Sequence, residues 1–358
     1  MTPTRAAIIG WGMYAPSRIM TNADLSRLVD TSDEWIRSRT GIRERRIAAD
    51  DETTTTLATN AARDALAVAG VDPRDVDLVI VATASPDYLM PATGVLVARD
   101  LGATRAAGFD LNAACSGFVF GLATGASFIS SGAYRQVLVV GVDLLSRYLD
   151  WTDRNTCVLF GDGAGAVLLS AAEGEGGVLG LSLFSDGSGE EGIIIPGGGT
   201  AHPATAETVS HGLHYLRMAG KEVYRYATRQ LADSTTAAAE EAGVRLEDID
   251  LFLYHQANIR ILETVRDLLG VPADKVYVNI DRYGNTSAAS VPMALAEAVA
   301  SGRVRIGDRI LMGAFGAGYT AGAVVVQWTA DPTRALLAPG AQTRAGQPRQ
   351  EPVTAGSA

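Results

Sequence analysis

Only two of the 358 residues are cysteine, Cys115 and Cys157. Two thiols cannot form a disulfide framework, so a reducing, cytoplasmic setting is expected and each thiol must be accounted for. Histidine is also scarce, at four residues. His211 and His214 have the only metal-like spacing, and with no carboxylate or cysteine cluster nearby no metal site is expected. No run reaches the ~18 apolar residues of a membrane span, and MTPTRAAIIGWG lacks a signal-peptide core. Positive charge is in deficit: the net charge of -10 and pI near 5.0 argue against nucleic-acid binding, which needs a basic face. With 47% hydrophobic and 20% charged residues, disorder is excluded for all but the extreme C-terminus.

What is present is an alternation of short apolar runs with Ala-rich stretches. Strands are expected at Ala6 to Gly10, Leu78 to Thr83, Val137 to Gly141, Cys157 to Phe160, Ala166 to Leu169, Leu251 to Tyr254, Ile310 to Ala314 and Gly322 to Trp328. Helices are expected at Thr56 to Ala69, Gly94 to Leu101, Ser116 to Ser130, Lys221 to Ala242, Ile259 to Leu269 and Val291 to Ser301. Runs such as VLVV, apolar on both faces, point to a mostly parallel sheet covered by helices.

An internal repeat sets the organisation. Ala69-Gly70-Val71 and Asp75 to Leu78 recur 173 residues later as Ala242-Gly243-Val244 and Asp248 to Leu251. The same offset carries Asn112 to Asn285 and Val137 to Ile310. Two α/β halves of similar topology are inferred: 1–170, carrying the cysteine, and 219–328, joined by a Gly/Ser/Thr/Pro-rich segment, 171–218, expected as surface loops. A flexible tail is expected over 329–358.

Cys115 sits in DLNAACSGF at the start of a helical stretch, where unpaired N–H groups favour a thiolate. Taken alone, a buried inert cysteine is the competing reading, and it is preferred for Cys157. His255, in FLYHQAN, ends an apolar strand, and Asn285, in YGNTS, precedes a helix. The three suit one chemistry. A cysteine can accept an acyl group, and neutral histidine plus asparagine can donate hydrogen bonds to a thioester oxygen as it becomes an enolate. Gly161 to Ala166 fits a loose dinucleotide-binding pattern, but a strand-like run follows instead of a helix, so it reads as a turn.

DLNAACSGF, YHQANIRI and YGNTSAASVP, with TNADLSRLVDTSDEWIRSRTGIRERRIA, FGDGAGAV and MGAFGAGYTAG, resemble β-ketoacyl-acyl-carrier-protein synthase III of the thiolase superfamily from Ala7 to about Trp328. The resemblance implies a five-layered αβαβα fold made of two similar halves, and a homodimer. It implies acyl-CoA and malonyl-acyl-carrier protein as substrates, with no cofactor. By position it makes Cys115 the acyl acceptor and His255 with Asn285 the decarboxylation pair. The backbone N–H groups of Cys115 and Ala317 become the oxyanion hole, Ala317 standing where many members have glycine. Trp35, Arg39 and Arg154 match positions that hold coenzyme A, and Gln256 to Arg260 match the segment that meets the carrier protein, where Arg260 with Arg225 and Lys221 could supply the positive patch an acidic carrier needs. Met90 stands where the family often has an apolar residue closing the partner's acyl pocket. Tyr254 replaces a proline and could enter the site, and Asn155 replaces a smaller residue. Acyl transfer to an alcohol or amine, and a non-catalytic dimer partner, are the alternatives.

Overall fold

The computed structural model describes residues 4–172 and 174–337. The first half opens with strand β1 (Ala6–Tyr14), then β2 (Arg18–Thr21), helices α1 (Asn22–Leu25) and α2 (Asp33–Thr40), and β3 (Glu44–Ile47), which pairs with β2. It continues through α3 (Thr54–Ala69), β4 (Leu78–Ala82), α4 (Thr93–Leu101), β5 (Ala107–Leu111), α5 (Gly117–Ser130), β6 (Gln136–Leu144) and β7 (Asp162–Ala171). The second half has β8 (Gly177–Phe184), the short pair β9 (Ile193–Ile194) and β10 (Arg217–Met218) around α6 (Ala206–Ser210), and α7 (Gly220–Glu241). It ends with β11 (Leu251–Tyr254), α8 (Ile259–Leu269), α9 (Ile280–Tyr283), α10 (Ser290–Ala300), β12 (Arg309–Gly316) and β13 (Thr320–Gln327).

One sheet runs β1-β7-β6-β4-β5 and the other β11-β12-β13-β8. Leu78 pairs with Val137 and Leu251 with Ile310, both parallel, so the repeat is preserved in strand register. Helices α5 and α10 are buried between the sheets, with Phe118, Leu122, Met293 and Leu295 in one core shared with both. Helices α3 and α4 cover the outer face of the first sheet, and α7 and α8 that of the second. The order is therefore helix, sheet, helix, sheet, helix, the thiolase-like arrangement expected. Local chemistry agrees: Thr53 and Thr56 form a capping box on α3, and Gly70 ends it in the left-handed region.

Several expectations need correction. The two large sheets are mixed and not mostly parallel: β1 with β7, β6 with β7, β12 with β13 and β13 with β8 pair antiparallel. Cys157 to Phe160 is a buried turn, its Cys157 N–H donating to Asp153 O at 3.0 Å, and not a strand. Strands β5 and β8 and helix α2 were not anticipated. Glycine interrupts the apolar pattern of β8, which is an edge strand of the second sheet, so 171–218 contributes structure as well as loops. In the expected tail, residues Pro332–Leu337 form a 3₁₀ turn and Arg334 donates to Ala69 O at 3.0 Å; 338–358 lies outside the described residues. Gly161 to Ala166 is not followed by a helix, but it is not a turn either: Asp162 to Ala166 already pair with β6 as the first part of β7.

The halves meet in backbone contact where β6 passes the short turn ahead of α10. A Cβ on Gly141 would collide with the carbonyl oxygen of Ala288. We expect Gly141→Ala to cost about 1–3 kcal/mol of stability by overpacking and to move that turn; an unchanged thermal midpoint would show that the contact is slack.

Candidate active site

Cys115 follows β5 on a tight turn. Asn112 Oδ1 accepts from Ala114 N at 3.1 Å, Ala114 takes φ 48°, and a single 3₁₀ turn, Ala114–Ser116, leads into α5. The second half repeats the device at the same offset of 173 residues. Asn285 Oδ1 accepts from Ser287 N at 2.8 Å, Ser287 takes φ 50°, and Ser287–Ala289 leads into α10. Positive φ in non-glycine residues is strained backbone, held only where the surroundings enforce it. Here the two strained turns face each other, and the Ser287 hydroxyl lies 3.3 Å from Cys115 Sγ.

The end of β12 closes on the first turn. A Cβ on Gly316 would stand 2.7 Å from Cys115 N, and Thr320 Oγ1 donates to Ala113 O at 3.0 Å. Ala317 follows in the β12–β13 turn, which Tyr226 braces by stacking on Tyr319 at 3.8 Å and donating to Tyr319 O at 2.8 Å. The amides of Cys115 and the 316–317 segment thus border one spot.

His255, at the end of β11, is 1% exposed. Its Nδ1 is 2.7 Å from Ser290 Oγ, which also accepts from Gln256 N at 3.3 Å. In the tautomer in which the Ser290 hydroxyl donates to Nδ1, the ring hydrogen lies on Nε2. Nε2 is buried and meets no hydrogen-bond partner among the described residues. Burial holds the imidazole neutral, lowering its pKa to about 3. Asn285 spends its carbonyl oxygen inside its own turn, leaving its NH₂ as the donor end. Gly284, at φ 66° and ψ -157°, turns the chain into this position, and a Cβ there would come within 2.9 Å of Leu159 O.

A buried network sets the distance between the histidine and asparagine loops. Gln256 Nε2 donates to Tyr254 O at 2.8 Å and its Oε1 accepts from Asn279 N at 3.0 Å. Glu297 on α10 then accepts from Asn279 Nδ2 at 2.7 Å, from both Arg282 terminal nitrogens at 2.7 and 3.0 Å, and from Tyr283 OH at 2.7 Å.

Three expectations fail here. The Cys115 thiol is not poised as a thiolate: burial pushes it up to about 12, outweighing the Ser287 hydrogen bond, and the Asp143 charge adds to the rise. Gln256 is 1% exposed, so its side chain serves the network and not a docking surface. Tyr254 points away from the site, its hydroxyl 3.3 Å from Thr235 Oγ1 on α7. Arg260 and Arg225 are exposed, as is Lys221, and Arg260 donates to Ser38 O at 2.7 Å. On α2, Trp35 and Arg39 stand one turn apart. The guanidiniums of Arg39 and Arg154 lie 4.6 and 5.6 Å from the Trp35 ring centre, and Asp30 O accepts from Arg154 at 2.8 Å. Met90 is 83% exposed beside Leu89 and Tyr88. Ser287 and Ser290, unrecognised in the sequence, lie inside the NTSAAS run.

A duplicated five-layer fold with a cysteine at the helix entry between its halves defines the thiolase-like acyl-transferring class. The description 3-Oxoacyl-[acyl-carrier-protein (ACP)] synthase III matches residues 109–187, and its C-terminal counterpart residues 239–328. A β-ketoacyl-[acyl-carrier-protein] synthase III from Desulfitobacterium hafniense is 51% identical over 90% of this chain and 97% of its own. Among solved structures, the 3-oxoacyl-[acyl-carrier-protein] synthase III of Aquifex aeolicus superposes with TM-score 0.83 at 46% identity, covering 91% of this chain and 100% of that one. The priming β-ketosynthase of the R1128 polyketide pathway does so with TM-score 0.85 at 37% identity, covering 93% and 99%. The chain belongs to the β-ketoacyl-acyl-carrier-protein synthase III family and is an acyltransferase of the condensing type.

Because the native state keeps His255 neutral down to about pH 3 while the unfolded chain protonates near 6.5, stability falls as pH drops through that window. The loss approaches about 1.4 kcal/mol per pH unit. Denaturation curves at pH 7 and pH 5 should therefore show a smaller acid loss in His255→Asn than in wild type; equal losses would mean that His255 is protonated in the fold. Glu297→Gln should lower the rate of carbon dioxide release by about tenfold while sparing Cys115 acylation, because it loosens the loops of His255 and Asn285 and not the cysteine turn.

Proposed function

We propose that the enzyme takes an acyl group from acyl-CoA onto Cys115 and condenses it with malonyl-acyl-carrier protein, initiating a fatty acid or polyketide chain. The observation that carries this reading is the pair formed by His255 Nε2, buried with no partner among the described residues, and Asn285, whose oxygen is taken up in its own turn so that its NH₂ is the outward end. Decarboxylation turns a malonyl thioester into an enolate whose oxygen gains negative charge. Neutral donors in a dry site stabilise that charge with no reorganisation cost. The enolate carbon then attacks the acyl-Cys115 carbonyl, whose oxygen is received by the amides of Cys115 and Ala317. Thiol, imidazole and amides complete the chemistry, with acyl-CoA and malonyl-carrier protein as the substrates.

In this reading Trp35 stacks the adenine of coenzyme A and Arg39 with Arg154 meet its phosphates. A purine stacked on Trp35 lies ~3.5 Å from the ring, within the space that the two guanidiniums border. Arg154, now 5.6 Å from the ring, would release Asp30 and swing outward. Arg260, Arg225 and Lys221 form the local positive face for an acidic carrier on a chain of net charge -10. Tyr88, Leu89 and Met90 are a patch for a second copy of the chain, with Met90 closing the partner's acyl pocket.

Two measurements test the assignment. Intact-mass spectrometry with a panel of acyl-CoAs should show one acyl adduct that is absent from Cys115→Ala, followed by carbon dioxide release when malonyl-carrier protein is added. Acyl loading without carbon dioxide release would point instead to transfer onto another nucleophile. Trp35→Ala should raise KM for acyl-CoA about tenfold, the value of one stacked base, with kcat little changed; an unchanged KM removes Trp35 from the nucleotide site.

A further inference from the structure

The buried thiol must lose a proton as it attacks, and among the described residues its polar side-chain contact is Ser287. Behind Ser287 stands Asp143, at the end of β6 and 0% exposed. Its carboxylate accepts from Ala84 N and Ser85 Oγ, both at 2.8 Å, from Thr83 Oγ1 at 3.1 Å and from Ala288 N at 3.2 Å, which brings it beside Ser287, whose hydroxyl favours the charged carboxylate. These partners are hydroxyls and amides, with no cation among them. The repeat explains the placement. Asp143 and Gly316 are related by the offset of 173 residues, as are Ala288 and Cys115. Where Gly316 leaves room at the Cys115 amide, Asp143 puts a carboxylate on the matching Ala288 amide.

We infer that Ser287 and Asp143 form the route by which the Cys115 proton leaves and returns during the cycle. The inference rests on the acyl-Cys115 reading above. As Sγ bonds to the acyl carbon, its proton passes to Ser287 Oγ and the Ser287 proton passes to Asp143. The bond from the acyl carbon to the coenzyme A sulfur breaks, and that thiolate leaves to be protonated by solvent. In the second stage the enolate carbon displaces Cys115 as a thiolate, and Asp143 returns its proton through Ser287. The charge then goes back from sulfur to carboxylate, so the cycle consumes one solvent proton, as decarboxylative condensation requires. The same two contacts serve both states, with the Ser287 hydrogen pointing to Asp143 in one and to Sγ in the other.

Burial raises the carboxyl above its usual range, with the surrounding hydrogen bonds opposing, which brings its proton affinity toward that of the thiol. The other titratable groups nearby do not compete. Tyr148 is held protonated, first by burial and then by the Asp143 charge. Asp162 on β7 faces Ala48 N and Ser146, and His255 commits Nδ1 to Ser290.

The test is rapid-quench acylation of Cys115 by acyl-CoA in wild type, Ser287→Ala and Asp143→Asn from pH 6 to 10, beside alkylation by iodoacetamide. A relay predicts acylation slowed about 10²-fold at pH 7 in both variants, with the defect shrinking about tenfold per pH unit as hydroxide takes over. A charge effect alone predicts the opposite for Asp143→Asn, since removing a nearby anion favours the thiolate and speeds both reactions. Wild-type rates, or a defect independent of pH, in Ser287→Ala would overturn the relay even if Asp143→Asn fails to fold. If wild type forms no acyl adduct, or Cys115→Ala retains one, the nucleophile assignment itself falls.

Discussion

The close approach of two equivalent turns, one from each half, is the constraint on which the rest of the molecule depends. Each turn is closed by an asparagine, strained at positive φ, and followed by a helix buried between the sheets. Two glycines, Gly141 and Gly316, let the strand ends come within backbone contact of the opposite turn. Any side chain at either position would separate Cys115 from Ser287 and from the amides that border it. Duplication supplied two copies of a turn; divergence placed a thiol on one and a hydroxyl on the other.

Removal of water is the second determinant, and it acts in opposite directions on the groups it surrounds. It holds His255 neutral with its Nε2 hydrogen free, which suits a donor to a developing oxyanion. The same desolvation raises the Cys115 thiol to about 12, beyond what a helix entry can offset. A site dry enough to stabilise an enolate is thus too dry to hold a resting thiolate, and the thiol must exchange its proton with a buried neighbour or wait for hydroxide. Asp143, kept in the core by four hydrogen-bond donors, is the neighbour the fold provides.

Cys115, His255 and Asn285 stood out as candidates because each sits in a long motif beside a strand end or helix entry. The repeat was legible because short stretches recur in one register, and that register reappears in the strand pairing. Gln256 and Tyr254 were misjudged because adjacency to a catalytic-type histidine says nothing about direction: successive residues of a strand point to opposite faces, and Tyr254 faces α7. Strand β8 was missed because its glycines break the apolar run that would have announced it.

By itself, the sequence determined the class of protein, the two-half organisation and the three residue types that suit acyl transfer, because these reside in local pattern and spacing. Only the tertiary structure decided which polar groups meet across the halves and what protonation each keeps. Ser287 reaches Cys115 from 172 residues away in the chain. Proton affinity in a core is set by the water excluded and the donors enclosed, and neither is a property of any segment alone.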